Sequence, residues 1–270
     1  MIPKKIHYCW FGGNPLPDDA LRYIESWRKF CSDYEIKEWN EGNFDMDCYP
    51  YAREAYDSRK FAFVSDVARL YALYTEGGIY MDTDVEVLKS LDDFLKYDGV
   101  SGFESSTQIP TGLMASRDLH PLVKEWLDEY EGIHFVREDG SLDLTTNVTR
   151  ITNSCLRYGF VPDGTLQTVR DFTFFPSEYF CPKDYRTGAL NITENTYTIH
   201  HFDGSWLARE DLEKVKLGRK IHSKIRIKFL AEFIFLTQCF LKRLKREGIG
   251  KTLKYYFNKH FFQKHDRSRK

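Results

Sequence analysis

No Cys-x-x-Cys pair occurs in the 270 residues, and the six cysteines (Cys9, Cys31, Cys48, Cys155, Cys181, Cys239) are scattered. That spacing argues against a structural zinc site and against a disulfide scaffold, so a reducing cytosol is the default expectation. Long apolar runs are missing as well. The longest, Phe229–Leu241, has 13 residues and contains Glu232 and Gln238. A bilayer span needs roughly 20. The stretch from Met1 to Gly13 has two lysines but no apolar run of signal-peptide length, so no leader is expected. Internal repeats and low-complexity linkers are absent before the C-terminal region.

Aromatic side chains are plentiful. There are 21 Phe, 17 Tyr and 5 Trp, enough to fill a core, line a groove and stack on flat ligands. With 42% hydrophobic and 29% charged residues, the chain reads as globular and not disordered. The net charge of -1 conceals an asymmetry. From Lys214 to Lys270, 18 Lys and Arg face three acids (Glu232, Glu247, Asp266), a net of +15. Residues 1–213 hold the other 21 bases and 37 acids, a net of -16. This division predicts an acidic domain over 1–213 and a basic amphipathic helical tail over 214–270.

Strands and helices alternate along the body. Lys5–Trp10 reads as a first strand, broken by Phe11-Gly12-Gly13-Asn14-Pro15. Asp18 is placed to cap a helix running to about Phe30, with Leu21, Ile24 and Trp27 at helical spacing. Tyr34–Trp39 is a second strand. The clearest helix runs from about Ser58 to Thr75 and stops at Gly77-Gly78. Its stripe is Phe63, Val67, Leu70, Tyr71 and Tyr74, and Asp66 and Arg69 share a face three residues apart. Ile79-Tyr80-Met81 is a short buried strand by composition, and Val85–Leu88 resumes alternation. Helices are expected over Asp118–Tyr130 and Thr145–Tyr158, and strands over Thr168–Phe175 and Thr196–His201. The alternation predicts an α/β fold.

Chemistry concentrates at Asp82-Thr83-Asp84, just after the buried strand. In open α/β sheets, ligands bind outside the C-terminal ends of strands. Adjacent carboxylates repel, and a bound cation lets both stay ionised. Hard oxygen ligands suit Mg²⁺ or Mn²⁺, which can also hold a diphosphate. The plain alternative for Asp-x-Asp alone is a solvated turn.

The surrounding residues make the motif specific. Ser65-Asp66-Val67-Ala68-Arg69-Leu70, followed by Gly77-Gly78-Ile79-Tyr80-Met81-Asp82-Thr83-Asp84, resembles the sugar-transferase segment of glycosyltransferase family 32. The opening Ile2-Pro3-Lys4-Lys5-Ile6-His7-Tyr8-Cys9-Trp10-Phe11-Gly12-Gly13 is similar to that family's first strand. Ile199-His200-His201-Phe202-Asp203-Gly204-Ser205-Trp206 resembles its closing motif. The three matches cover about residues 2–206 and leave out the basic tail. The resemblance implies a GT-A (Rossmann-like) nucleotide-sugar-binding fold, a nucleotide-sugar donor, a divalent metal and retention at the anomeric carbon.

By the resemblance, Asp84 is the principal metal-binding carboxylate. Asp82 contacts donor ribose or sugar and at times the metal. Asp66 and Arg69 grip the donor sugar, and Arg69 also offsets diphosphate charge. The alternative for that pair is an ion pair on a solvated helix face, worth about 0.2–0.5 kcal/mol. Trp10 matches an aromatic that stacks on the nucleotide base, and Tyr80 a donor-pocket tyrosine; core packing is the alternative for both. Ser205 and Trp206 resemble a pair that covers the donor diphosphate. A histidine of this closing region completes the metal sphere. Strand alternation points His200 and His201 to opposite faces, so one of them is expected at the site, and the sequence does not choose. Thr111-Gly112-Leu113-Met114-Ala115 falls near where the acceptor is expected, and Asn147 is a further contact candidate.

In the tail, Ile225, Ile227, Phe229, Leu230, Phe233 and Leu236 interleave with Lys224, Arg226 and Lys228. Basic helices with bulky apolar faces suit anionic lipid head groups. Peripheral membrane contact at the inner face of the cytoplasmic membrane is therefore expected, against packing on the body or nucleic-acid binding. The body is acidic and shows no nucleic-acid module, so no nucleic acid is expected. The chain reads as a metal-dependent retaining hexosyltransferase with a UDP-sugar preferred as donor. The expected acceptor is a glycan or a lipid-linked glycan, in capsular or surface polysaccharide synthesis. The competing readings are a non-catalytic nucleotide- or carbohydrate-binding module and a nucleotide-sugar hydrolase.

Overall fold

The N-terminal alternation forms strand β1 (Lys5–Cys9) in a computed structural model that describes residues 1–204, 209–225 and 227–267. Helix α1 (Asp18–Phe30) follows, and Asp18 does not cap it. Pro17 holds the N-cap position with no side-chain bond, while Asp18 and Asp19 lie in the first turn and Arg28 and Lys29 in the last. Those charges complement the helix dipole. The buried stripe is Ala20, Tyr23, Ile24 and Trp27, so Tyr23 takes the place expected for Leu21, which is 48% exposed. Trp27 donates its indole N–H to the Val85 carbonyl at 2.8 Å.

Strand β2 (Glu35–Trp39) pairs in parallel with β1. Beyond it lies an unexpected helix, α2 (Pro50–Asp57), which starts on a proline suited to a first helical turn. Arg59, at a φ of 56°, breaks the chain before α3 (Phe61–Glu76) begins. Helix α3 is buried nearly all round: Asp66 and Arg69 are 7% and 5% exposed. Their shared face is therefore interior, not solvated. Gly77 and Gly78 end the helix at φ of 64° and 112°, and a Cβ on Gly78 would lie 2.6 Å from the Lys5 carbonyl oxygen. Only glycine permits both the left-handed turn and that approach.

The remaining strands of the body are β3 (Gly78–Met81), β4 (Val85–Val87), β5 (Gly99–Gly102), β6 (Leu113–Ser116), β7 (Gln167–Val169), β8 (Phe172–Phe175) and β9 (Thr198–His200). Seven strands form one sheet in the order β2-β1-β3-β6-β5-β8-β7. Neighbours β2, β1 and β3 are parallel, as are β5 and β8, while β6 is antiparallel to both its neighbours. Strands β4 and β9 form a separate antiparallel pair. The mixed α/β architecture agrees with the expected fold class. Thr168–Phe175, expected as one strand, is a hairpin of β7 and β8 turned at Arg170 and Asp171, both at positive φ.

Two apolar clusters cover the sheet. One gathers α3, Trp126 of helix α4 (Pro121–Asp128) and Ile151 of helix α5 (Asn147–Leu156). The other contains Trp27, Ile24, Ile6, Met81 and Phe94. A short helix α6 (Ser177–Phe180) follows β8. Burial of such side chains, at about 1.5–3 kcal/mol each, is the main force holding the layers.

Two compact units are distinguished, Met1–Asp184 with Leu190–Trp206, and Tyr185–Ala189 with Leu207–Lys270. The second contains helix α7 (Arg209–Lys224) and α8 (Lys228–Arg267). Gly248, at φ 77° and ψ 170°, divides α8 into two helices across a kink. Arg246 pairs with Glu210 at 2.6 Å and Arg186 with Glu232 at 2.8 Å within this unit. No helix among the described residues is long and apolar enough to cross a membrane.

Candidate active site

Asp82 follows directly on β3 and keeps the sheet register for one residue, donating its N–H to the Gly112 carbonyl at 2.8 Å. Its carboxylate meets two groups, one from β3 itself and one from α3. The Tyr80 hydroxyl donates to Oδ1 at 2.8 Å, and Arg69 Nη1 lies 3.3 Å from the same oxygen. Arg69 also reaches Asp66 through Nη2 at 3.1 Å, donates to the Thr111 carbonyl at 2.5 Å, and stands 4.5 Å over the Tyr80 ring. Asn147, at the start of α5, donates its N–H to Asp66 Oδ2 at 3.2 Å and its amide to the Asp66 carbonyl at 2.7 Å. Tyr130 holds the Asn147 amide oxygen at 2.7 Å. One guanidinium thus joins α3, β3 and the loop before β6.

Burial sets the protonation of this cluster. It pushes the Asp66 carboxyl up to about 6, against the opposing pull of Arg69. Burial opposes the charge on Arg69 too, but the carboxylates of Asp82 and Asp66 prevail and keep it protonated. The Tyr80 hydroxyl is raised well above its ordinary value, chiefly by burial, so it is a donor to Asp82 at any working pH.

Asp84 faces a different partner. Its Oδ1 lies 3.2 Å from His200 Nε2, and its Oδ2 accepts the Asp203 N–H at 2.9 Å. The cause is the pairing of β4 with β9, which sets Val85 opposite His200. Burial works against the imidazolium, yet Asp84 outweighs it and raises the His200 pKa well above the usual value. Burial likewise opposes the Asp84 charge, and His200 with the Asp203 N–H holds its carboxyl low. Phe202 stacks on the His200 ring at 4.1 Å from a left-handed backbone. His200 Nδ1 is buried without a hydrogen-bond partner among the described residues.

The strand alternation that separates the two histidines is resolved here. His201 turns away from Asp82 and Asp84: its Nε2 lies 2.8 Å from Glu86, and its ring stacks on Tyr23 at 4.5 Å. His200 is the one beside the carboxylates. Ligand atoms of Asp82, Asp84 and His200 all lie within 4.8 Å of one another. Two carboxylate oxygens and one imidazole nitrogen form a set that suits Mn²⁺ better than Mg²⁺. Gly112 lets His200 and Asp82 pack closely against its backbone. A Cβ there would lie 2.7 Å from His200 Cε1 and 3.2 Å from Asp82 Oδ2. The residues fit a divalent cation.

Of the other candidates, Trp10 is half-buried just past β1, with its indole N–H on the Asn14 carbonyl at 2.6 Å. Tyr80 is 1% exposed; its ring lies against Arg69 and its hydroxyl on Asp82. Ser205 and Trp206 lie outside the described residues. Three further participants complete the surroundings: Thr111 and Gly112, from the stretch expected near the acceptor, and Glu104, which the sequence did not mark. Thr111 and Gly112 act through backbone carbonyls. Glu104, half-buried beyond β5, feels the charges of His200, Asp82 and Asp84.

Residues 17–100 match the family described as a glycosyltransferase sugar-binding region containing a DXD motif. An uncharacterized glycosyltransferase of Acanthamoeba polyphaga mimivirus is 28% identical over 82% of this chain and 90% of its own length. Inositol phosphoceramide mannosyltransferase 3 of Schizosaccharomyces pombe is 32% identical over 45% of this chain, but the match spans only 35% of that enzyme. Among solved structures, PaToxG glycosyltransferase aligns over 58% of this chain and 69% of its own, with 18% identity and a TM-score of 0.44. The DXD segment seen in the sequence lies within the stretch the family match covers, so that part of the chain is similar to a glycosyltransferase sugar-binding region.

Proposed function

We propose that this glycosyltransferase is metal-dependent and retaining, and moves a sugar from a nucleotide-sugar donor to a glycan or lipid-linked acceptor. The observation that carries the reading is the convergence of Asp82, Asp84 and His200 within 4.8 Å, backed by the buried Arg69. A divalent ion held there supplies positive charge that stabilises a departing nucleotide diphosphate. The protein's own part is positioning. Arg69 and Tyr80 hold Asp82 from behind, and β9 carries His200 to Asp84. Trp10 offers an indole face for the base at the end of β1. Prearranged charge and orientation of this kind supply most of the catalysis when no nucleophile is at hand.

UDP is the preferred nucleotide. GDP ranks second, supported by the mannosyltransferase relative, whose inositol phosphoceramide substrate class also favours a lipid among the acceptors. The reading places the enzyme in surface polysaccharide or glycolipid assembly at the inner face of the cytoplasmic membrane. The C-terminal unit supports that placement. Phe229, Phe233 and Leu236 are 81%, 60% and 49% exposed and recur at helical spacing, and the exposed Lys242, Lys245 and Arg246 follow them. The test is release of nucleotide from UDP- and GDP-sugars with Mn²⁺, Mg²⁺ or chelator. Metal-dependent turnover supports the reading, and nucleotide binding without turnover would instead mark a non-catalytic module. Turnover to water that no glycan or lipid accelerates would mark a hydrolase.

A further inference from the structure

Strands β3 and β5 run in one direction, with antiparallel β6 between them. Three chain segments therefore meet at one edge of the sheet: Asp82 after β3, Gly112 before β6, and Phe103-Glu104 after β5. The Phe103 N–H bonds the Phe175 carbonyl at 2.9 Å, which keeps the chain in the sheet up to the residue before Glu104. The Glu104 N–H bonds the Gln108 carbonyl at 2.8 Å and closes the turn that returns toward Gly112. Ser101 fixes both sides of that turn, with its hydroxyl 3.2 Å from the Pro110 carbonyl and 2.9 Å from the Leu113 carbonyl.

Glu104 is half-buried, and its carboxylate makes no hydrogen bond or ion pair among the described residues. The charges that act on it are His200, Asp82 and Asp84, and burial with the two aspartates raises its pKa. Yet it is not one of the residues whose ligand atoms gather within 4.8 Å. An unpaired carboxylate beside two others costs stability. Groups held at such a cost in a cleft are functional candidates. The residue on the intervening strand position is Gly112, whose missing side chain lets His200 and Asp82 lie close against its backbone.

The order along the sheet edge gives the role. Trp10 ends β1, Asp82 ends β3, Gly112 precedes β6 and Glu104 follows β5. On the reading under Proposed function, on which this inference rests, the base lies at Trp10 and the diphosphate at Asp82 and Asp84. The sugar then extends across Gly112, and the next group along the edge meets the acceptor. We infer that Glu104 is an acceptor-binding carboxylate, which accepts a hydrogen bond from the attacking hydroxyl and orients it toward the anomeric carbon. Water takes that place when the donor is hydrolysed.

The test compares wild type with Glu104→Gln, nearly equal in shape, on two readouts: turnover of UDP- or GDP-sugar to water, and affinity for the same donor with Mn²⁺. The expected result is a fall in turnover of about 100-fold, the low end for a positioned acid–base group, with donor affinity within about twofold of wild type. Unchanged turnover would overturn the assignment. So would a loss of donor affinity matching the loss of rate, because Glu104 would then grip the donor or the ion. If Glu104→Gln melts early, Glu104→Asp keeps the charge but withdraws it by one methylene, and the same split between rate and affinity decides. A wild-type protein that neither binds nor turns over any donor with metal would sink the functional reading itself. Wild-type turnover matched by the variant sinks only the role of Glu104.

Discussion

Arg69 stands between two acids, with Nη2 3.1 Å from Asp66 Oδ1 and Nη1 3.3 Å from Asp82 Oδ1. Arg69 and Asp66 are buried and Asp82 is half-buried, so the guanidinium is at once a structural tie and the support of the DXD pair. Removing it strands Asp66 and Asp82. Arg69→Ala should therefore lower unfolding stability by about 3–5 kcal/mol, the usual cost of breaking a buried pair. Arg69→Lys keeps the charge but cannot reach Asp66, Asp82 and the Thr111 carbonyl together. It should fold with a smaller stability loss and still turn over donor at least tenfold more slowly. Denaturant melts beside donor turnover check both. A fully active Arg69→Lys would show that charge alone is needed.

Gly112 gives a narrower test of the cation site. A Cβ at this position would press on the His200 ring, which Phe202 and Asp84 already hold in place. Gly112→Ala should leave a cooperative fold and weaken Mn²⁺ binding by about 10- to 100-fold, the range for disturbing the groups that orient a ligand. Titration of Mn²⁺ by electron paramagnetic resonance measures it. Wild-type affinity in the variant would place the ion elsewhere.

Much of this site was legible because its residues lie close in sequence. Asp66, Arg69, Gly77-Gly78 and Asp82-Thr83-Asp84 span one helix, one turn and one strand, and local patterning places them. His200 required more. Alternation separated it from His201, but only the β4–β9 register shows which of the two faces Asp84. Glu104 had no local signal at all, since strand order brings it to the site from beyond β6. The missed elements were weak by composition: β5 is Gly-Val-Ser-Gly, and α2 is eight residues opening on Pro50. Tertiary packing, more than propensity, holds such segments.

Acid sensitivity of the fold should trace in part to His7. This residue is buried within the first strand; Trp39 donates to its Nδ1 at 3.0 Å, and its Nε2 donates to the Gly77 carbonyl at 2.7 Å. Burial lowers its pKa from 6.5 to about 4. The folded state therefore binds this proton less readily than the unfolded chain. The associated stability is complete above pH 6.5 and is lost as pH falls toward 4, amounting to about 3 kcal/mol over the window. His7→Gln retains a donor for Gly77 but cannot be protonated. Between pH 7.5 and 4.5 its stability should drop by about 2 kcal/mol less than that of wild type. Equal drops in urea melts would assign the sensitivity to other groups.

The proposed membrane contact of the C-terminal unit predicts a dependence on both charge and apolar surface. The full chain should co-sediment with vesicles rich in phosphatidylglycerol and not with phosphatidylcholine, and raised salt should weaken the binding. The triple change Phe229→Ser, Phe233→Ser and Leu236→Ser removes exposed apolar side chains and should lower vesicle affinity at least tenfold. Equal binding to both lipids, or no effect of the triple change, would leave the tail without this role.

The central claim is that Asp84, with Asp82 and His200, holds the cation on which donor cleavage depends. Its most direct test is nucleotide release across a panel of UDP- and GDP-sugars, with Mn²⁺, with Mg²⁺ and with chelator, for wild type and Asp84→Ala. Release of one nucleotide that requires metal and disappears in Asp84→Ala is the predicted result, and it names the donor. Release that persists in chelator, or that survives the loss of Asp84, would contradict the account.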